Sequence, residues 1–214
     1  MFASRRRDLV FPQSEHARLA GLVARAWGND AFPPPPLPFD SFVAGVALHD
    51  RGYGEFDNDP IGGVMAPERW VEIQLRGAEP RGDDPVVDLV TVLHIHRLMT
   101  PPENDVQANA RERVGALIPG LLDAAGVTQA QALDADRITA ICDRIAFELP
   151  WEEPTSGELN GVRYEIDGLG GVVLDPWPLS VSELVGFVYA YRAEGYPERR
   201  APVVVPFDVG TVSR

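Results

Sequence analysis

The chain has 214 residues, 45% hydrophobic and 24% charged, enough for a globular domain with its own core. Its 32 acidic residues outnumber 19 basic ones, giving a formal net charge of −13, and every basic residue is Arg. The lack of Lys excludes a Schiff-base lysine and a P-loop, and the acidic balance argues against general nucleic-acid binding. The single Cys, Cys142, cannot form an internal disulfide, which points to a reducing compartment. No stretch of about 18 apolar residues is present, and the first residues lack a signal-peptide core, so a cytoplasmic protein without a membrane span is expected.

In chain order, Ser14 can cap a helix reaching Trp27, with Leu19, Leu22, Val23, Ala26 and Trp27 at helical spacing. Gly28 and Asn29 end it, and Pro33 to Pro36 form a stiff connector. A second helix begins near Asp40 or Ser41 and is expected to run to Gly52. Residues 53–66 read as a loop, and Pro67 opens a short helix containing Trp70, Ile73 and Leu75. Asp84 caps and Pro85 begins a fourth helix, apolar on nearly all sides, as suits the centre of a bundle. A fifth helix spans about Asn104 to Ala125 with a bend at Pro119. A sixth opens on the capping-box pair Thr128 and Gln131 and runs to Pro150.

The remainder changes period. Residues 161–166 and 171–175 read as a hairpin, 184–192 as a third strand, and APVVVPF as an edge strand because it contains Pro. Phe187, Tyr189 and Tyr191 share one strand face, which either covers the bundle or forms a homodimer surface. The expected fold is mainly α: a bundle of five to six helices over 1–154, with a small C-terminal antiparallel β-sheet over 155–214 packed on it as one compact domain.

The four His carry most of the chemical information. His16 shares a face with Leu19, Val23 and Trp27; His49 and Asp50 are adjacent at the end of the second helix; His94 and His96 point to nearly opposite sides of the fourth. A buried imidazole must be hydrogen-bonded or metal-bound. Each alone reads best as a satisfied core residue. Together with an inward Asp on a later helix, His16, His49 and Asp50 would make a His-His-Asp-Asp set, suited to Mn, Fe, Zn or Ni.

The order His, then His-Asp, then Asp on helices resembles the HD superfamily of metal-dependent phosphohydrolases. The segments QSEHARLAGLVARAWGN, VALHDRGYGEFDNDP, VTVLHIHRL, DADRIT and VVLDPWPLS together resemble the bacterial domain of unknown function 3891, over about residues 13–192. That family has no established activity. The resemblance implies an HD-like helical fold with a divalent metal site. On the family pattern, His16, His49 and Asp50 take the first three metal-ligand places. His94 takes that of the fourth-helix His, and Asp136, preferred over Asp143, that of the later Asp. Tyr53 stands where the family has Trp, and Thr139 where it has Ser.

Such a site, loaded with Mn, Fe, Zn, Ni or Mg, suits hydrolysis of a small phosphorylated or nucleotide-like metabolite. His94 is then a candidate acid, base or phosphate donor, and Arg51 and Arg97 are candidate phosphate clamps. Glu55 and Asp57 are candidates to hydrogen-bond the ligating His, or they simply face water. An iron-dependent oxygenase and a non-enzymatic ligand sensor are the alternatives. Cys142, among Ile138, Ile141 and Ile145, reads as apolar filler rather than a nucleophile.

Overall fold

In the computed structural model a mixed sheet of seven strands stands against the helices, in the order β1-β2-β6-β7-β5-β4-β3. The structure describes residues 1–58 and 65–211, with side chains left out for 55–58 and 211. The elements are β1 (Phe2–Ala3), β2 (Leu9–Phe11), α1 (Gln13–Ala26), α2 (Phe39–Ala47), a 3-10 helix (Arg51–Asn58), α3 (Pro67–Ala78) and α4 (Pro85–Leu98). After these come α5 (Asp105–Gly115), α6 (Ile118–Ala125), α7 (Gln129–Trp151), β3 (Thr155–Leu159), β4 (Val162–Ile166), β5 (Gly171–Asp175), β6 (Leu184–Arg192) and β7 (Pro202–Thr211).

The expectation of a mainly helical bundle with a small antiparallel sheet is thus corrected. The N-terminal strands join the sheet, with Leu9 opposite Arg192 and Val10 opposite Tyr191. β5 and β7 run parallel, so the sheet is mixed. Strands of two and three residues are too short to display an alternation, and β3 has no β-branched residue after Thr155.

β7 also corrects its assignment as an edge strand. It lies between β6 and β5, yet its prolines obey the rule that suggested an edge. β5 accompanies only residues 208–211, and the Asp208 N–H faces that side, donating to Gly170 O at 2.8 Å. Pro202 and Pro206 share the parity of Asp208. Their missing N–H groups would therefore point away from β6, to a side where β5 no longer runs alongside. Val205, Phe207 and Val209, of opposite parity, are buried.

One core cluster joins the inner face of the sheet, Val188, Ala190, Val205 and Phe207 among it, to α1, α2 and α7. A second gathers residues of α3, α4, α5, α6 and the start of α7. The sheet face carrying Phe187 and Tyr189 does not cover the helices; both rings are 43% exposed, while Val188 and Ala190 behind them are 0%. The helix caps follow the sequence. The Asp84 carboxylate accepts from Val86 N–H, and Thr128 and Gln131 form the capping box that starts α7. The expected bent fifth helix is two helices, α5 and α6. Among the described residues no helix is long and apolar enough to cross a membrane.

Candidate metal centre

α2 stops at Ala47, earlier than expected, and this early stop shapes the site. Leu48 N–H donates to Gly45 O at 3.2 Å and His49 N–H to Val46 O at 3.4 Å, so the chain tightens into a turn that leads to the 3-10 helix. His49 and Asp50 therefore sit in a turn, free of the 100° separation that neighbours on an α-helix must keep. Both can face one point. Gly52 then passes so close to α3 that a Cβ there would lie 2.2 Å from Ile73 O.

Around that turn, α1 supplies His16, α4 supplies His94 and α7 supplies Asp143. His16 Nε2 lies 3.0 Å from His49 Nε2, 3.5 Å from Asp50 Oδ2 and 3.2 Å from Asp143 Oδ1. His49 Nε2 is 3.7 Å from Asp50 Oδ2 and 3.5 Å from Asp143 Oδ1. A first-row metal with bonds of about 2.0–2.2 Å sets neighbouring ligand atoms about 3.0 Å apart in an octahedron and about 3.4 Å apart in a tetrahedron. The two shortest spacings, 3.0 and 3.2 Å, fall in this range, and the other three, 3.5 to 3.7 Å, lie just beyond it. Both His16–His49–Asp143 and His49–Asp50–His94 are groups that could hold a metal ion.

The three imidazoles are buried, at 2%, 0% and 1% exposure for His16, His49 and His94. His16 is fixed by edge contacts with Phe2 and Phe147, whose ring centroids lie 6.2 and 6.0 Å away. His49 Nδ1–H donates to Val46 O at 2.6 Å, which turns Nε2 toward the cluster. Burial alone would push the His49 pKa down. The carboxylates of Asp50 and Asp143 outweigh it and lift the pKa to about 9. Burial would likewise raise Asp50 and Asp143, but the facing imidazoles hold both below the usual carboxylate range. His94 is pushed down, by burial first and by the His49 charge second.

Without a metal, then, the charges of Asp50 and Asp143 are balanced by His49⁺ and the nearby Arg97. His16 Nε2 and His49 Nε2 are within hydrogen-bond distance, so a proton lies between them. Removing that proton leaves two Nε2 lone pairs and a carboxylate oxygen converging on one space, a donor set that fits a divalent ion. His94 Nε2 is buried with no hydrogen-bond partner among the described residues, 3.6 Å from Asp50 Oδ1.

The expected residues part company here. His16, His49, Asp50 and His94 come together. Asp136 does not join them; its carboxylate accepts from Arg97 Nε at 3.2 Å, and Asp143, two helical turns on, occupies the place beside the imidazoles. Arg97 does reach the site, with Nη2 on His94 Nδ1 at 3.0 Å and Nη1 3.7 Å from Asp143. Arg51 points elsewhere. It is ion-paired with buried Asp88 at 2.8 Å and donates to Gly77 O and Glu79 O, which ties the end of α3 to the start of α4. His96 faces the other way, toward Gly115 of α5. Cys142 is buried, and burial pushes its thiol pKa up, as expected for filler. The side chains of Glu55 and Asp57 lie outside the described residues.

A cavity of about 410 Å³ opens on the cluster, within the range of small-molecule sites. Beyond the cluster residues its walls include Gln13, Tyr53, Trp70, Arg144 and Phe147, none of which spacing alone had marked as a wall. The Tyr53 hydroxyl accepts from Gln74 Nε2 at 3.3 Å. Burial, and then the Asp50 charge, raise its pKa, so it stays a phenol. A second cavity of about 370 Å³, between Trp27, the proline connector and the outer side of α7, contains none of these groups.

A family model described as a protein of unknown function, DUF3891, matches residues 3–192. No curated protein and no solved structure gives a significant match to the chain.

Proposed function

The chain belongs to the DUF3891 family, and we propose that it is a metal-dependent hydrolase of HD type, acting on a small phosphorylated or nucleotide-like metabolite. The observation that carries this reading is the convergence of His16, His49, Asp50 and Asp143 near metal-ligand spacing, beside a cavity that His16, Asp50 and Asp143 line. The order His, His-Asp, Asp along the chain is that of the HD arrangement, with Asp143 in the last place. A divalent ion in such a site supplies Lewis acidity toward a phosphoryl oxygen and lowers the pKa of bound water.

The protein's own groups have separate tasks. His16 and His49 present nitrogen lone pairs, and Asp50 and Asp143 supply the charge that makes the site select a dication. His94, neutral and with Nε2 in the cavity, hydrogen-bonds a polar atom of the substrate. Arg97 and Arg144 give the wall a positive side for an anionic group, and Trp70 and Phe147 provide flat apolar surface. Tyr53 donates from its phenol. The same nitrogen and carboxylate donors also suit iron.

The test begins with metal analysis of the purified protein, followed by the His49→Ala/Asp50→Ala double variant. We expect bound metal in the wild type and its loss in the variant, with metal-dependent release of phosphate from at least one member of a phosphomonoester and nucleotide panel. Metal content unchanged by the double substitution refutes the site. Oxygen consumption by the iron-loaded protein, with no phosphate release, would replace hydrolysis by oxygenation.

A further inference from the structure

We propose that Arg97 is a positioning residue that locks His94 as an Nε2–H donor into the cavity and so bars His94 from ligating an ion. This rests on the metal-centre reading above and deepens it, because it decides which side chains take the ion. Five side chains surround the space, and the two groups that satisfy ligand spacing share His49, whose one free lone pair makes them alternatives for a single ion.

The argument is one of donors and acceptors. A guanidinium has only N–H donors and stays charged. Arg97 Nη2 lies 3.0 Å from His94 Nδ1, so Nδ1 must accept. The neutral ring then carries its proton on Nε2, facing Asp50 Oδ1 at 3.6 Å. A carboxylate faces each side of the ring, with Asp143 Oδ2 3.6 Å from Nδ1, so the Arg97 N–H on Nδ1 is what decides the tautomer. To bind a metal through Nε2, neutral His94 would have to move its proton to Nδ1, against the Arg97 N–H. The guanidinium is itself held by Asp136, which accepts from Nε at 3.2 Å. Asp136, Arg97 and His94 thus form a chain that ends in an N–H directed at the site. The consequence is an ion held by His16, His49, Asp50 and Asp143, with His94 outside its ligands.

The direct test is the nitrogen-15 spectrum of the His side chains in the metal-free wild type. We expect His94 to show a protonated Nε2 and an unprotonated Nδ1. On addition of zinc, His16 and His49 should change and His94 should keep its pattern, with one zinc bound per chain. Arg97→Met should release the tautomer and let His94 Nε2 join the zinc ligands; Arg97→Lys, which restores a donor, should return His94 to its metal-free pattern. A proton on His94 Nδ1 in the wild type overturns the proposal, as does coordination of His94 Nε2 on zinc binding. An Arg97→Met protein in which His94 keeps the Nε2–H form on zinc binding overturns it too. If Arg97→Met does not fold, the wild-type spectra still decide. If the wild type binds no metal, the functional reading fails, while the metal-free tautomer still decides this proposal.

Discussion

Asp143→Asn is the substitution that best separates the structure from the sequence-based choice of Asp136. It preserves volume and removes a negative charge 3.2 Å from His16 Nε2 and 3.5 Å from His49 Nε2. Groups that only support metal ligands are typically worth 10–100-fold in affinity. A ligating carboxylate should therefore cost at least about 100-fold, or roughly 3 kcal/mol. Asp136 touches the site only through Arg97, so Asp136→Asn should cost about 10-fold or less. Competition with a chelator of known affinity reads both values. Thermal denaturation gives an independent reading. A 100-fold loss removes about 2.7 kcal/mol of metal-linked stabilisation at saturating metal. For a chain of this size that is roughly 5–10 °C of the metal-induced rise in Tm. Loss of metal in Asp136→Asn with retention in Asp143→Asn would refute the assignment.

Three other substitutions or conditions probe the surrounding architecture. Arg51→Met breaks a buried ion pair and should cost about 3–5 kcal/mol in denaturant unfolding, while the folded fraction binds metal as before; a large loss of metal affinity per folded molecule would return Arg51 to the site. Gly52→Ala places a methyl group against Ile73 O, so it should lower both Tm and metal affinity by displacing the turn before it; an unchanged protein would show that the turn adapts freely. In chelator, stability should fall as pH rises from 6.5 through about 9, because the raised His49 pKa contributes stability present below its ordinary value and lost above the folded one. It should also fall below pH 6.5, because His94 resists protonation in the fold, and a pH-independent Tm between 6 and 9 would contradict this charge arrangement.

The helical half was legible because its signals are local. Asp84 before Pro85, and Thr128 with Gln131, mark helix starts through bonds spanning two or three residues. The sheet was not, because its pairings are remote: β2 meets β6 across most of the chain, and nothing within LVF announces Arg192 as a partner. The prolines of β7 suggested an edge for a sound reason, but edge and interior coexist along that strand. At the site, His16, His49 and Asp50 stood out by type and order. The choice between Asp136 and Asp143 does not follow from their own burial, since their side chains are 14% and 16% exposed; it lies in their neighbours. Asp136 lies near exposed Asp134 and Arg137, whereas Asp143 lies among Ile141, Cys142, Ile145 and Ala146, where the helix is buried. A carboxylate inside that apolar run must have partners, and this was the available signal.

The lack of Lys acquires a more specific meaning once the Arg side chains are traced. A protein that grips phosphate without Lys must use Arg or an ion, and the first two Arg expected to do so are already engaged. Arg51 is spent on Asp88 and two backbone carbonyls, away from the cavity. Arg97 is in the cavity wall but divides its donors between Asp136 and His94. Arg144, paired with Glu148 and 47% exposed, lines the same cavity. It is better placed than Arg51 to meet an anionic group arriving from solvent. In the hydrolase reading, Arg144→Gln should therefore raise KM for a phosphorylated substrate with little change in kcat, while leaving bound metal untouched. Equal loss in kcat and kcat/KM would instead mean that its charge acts in the transition state.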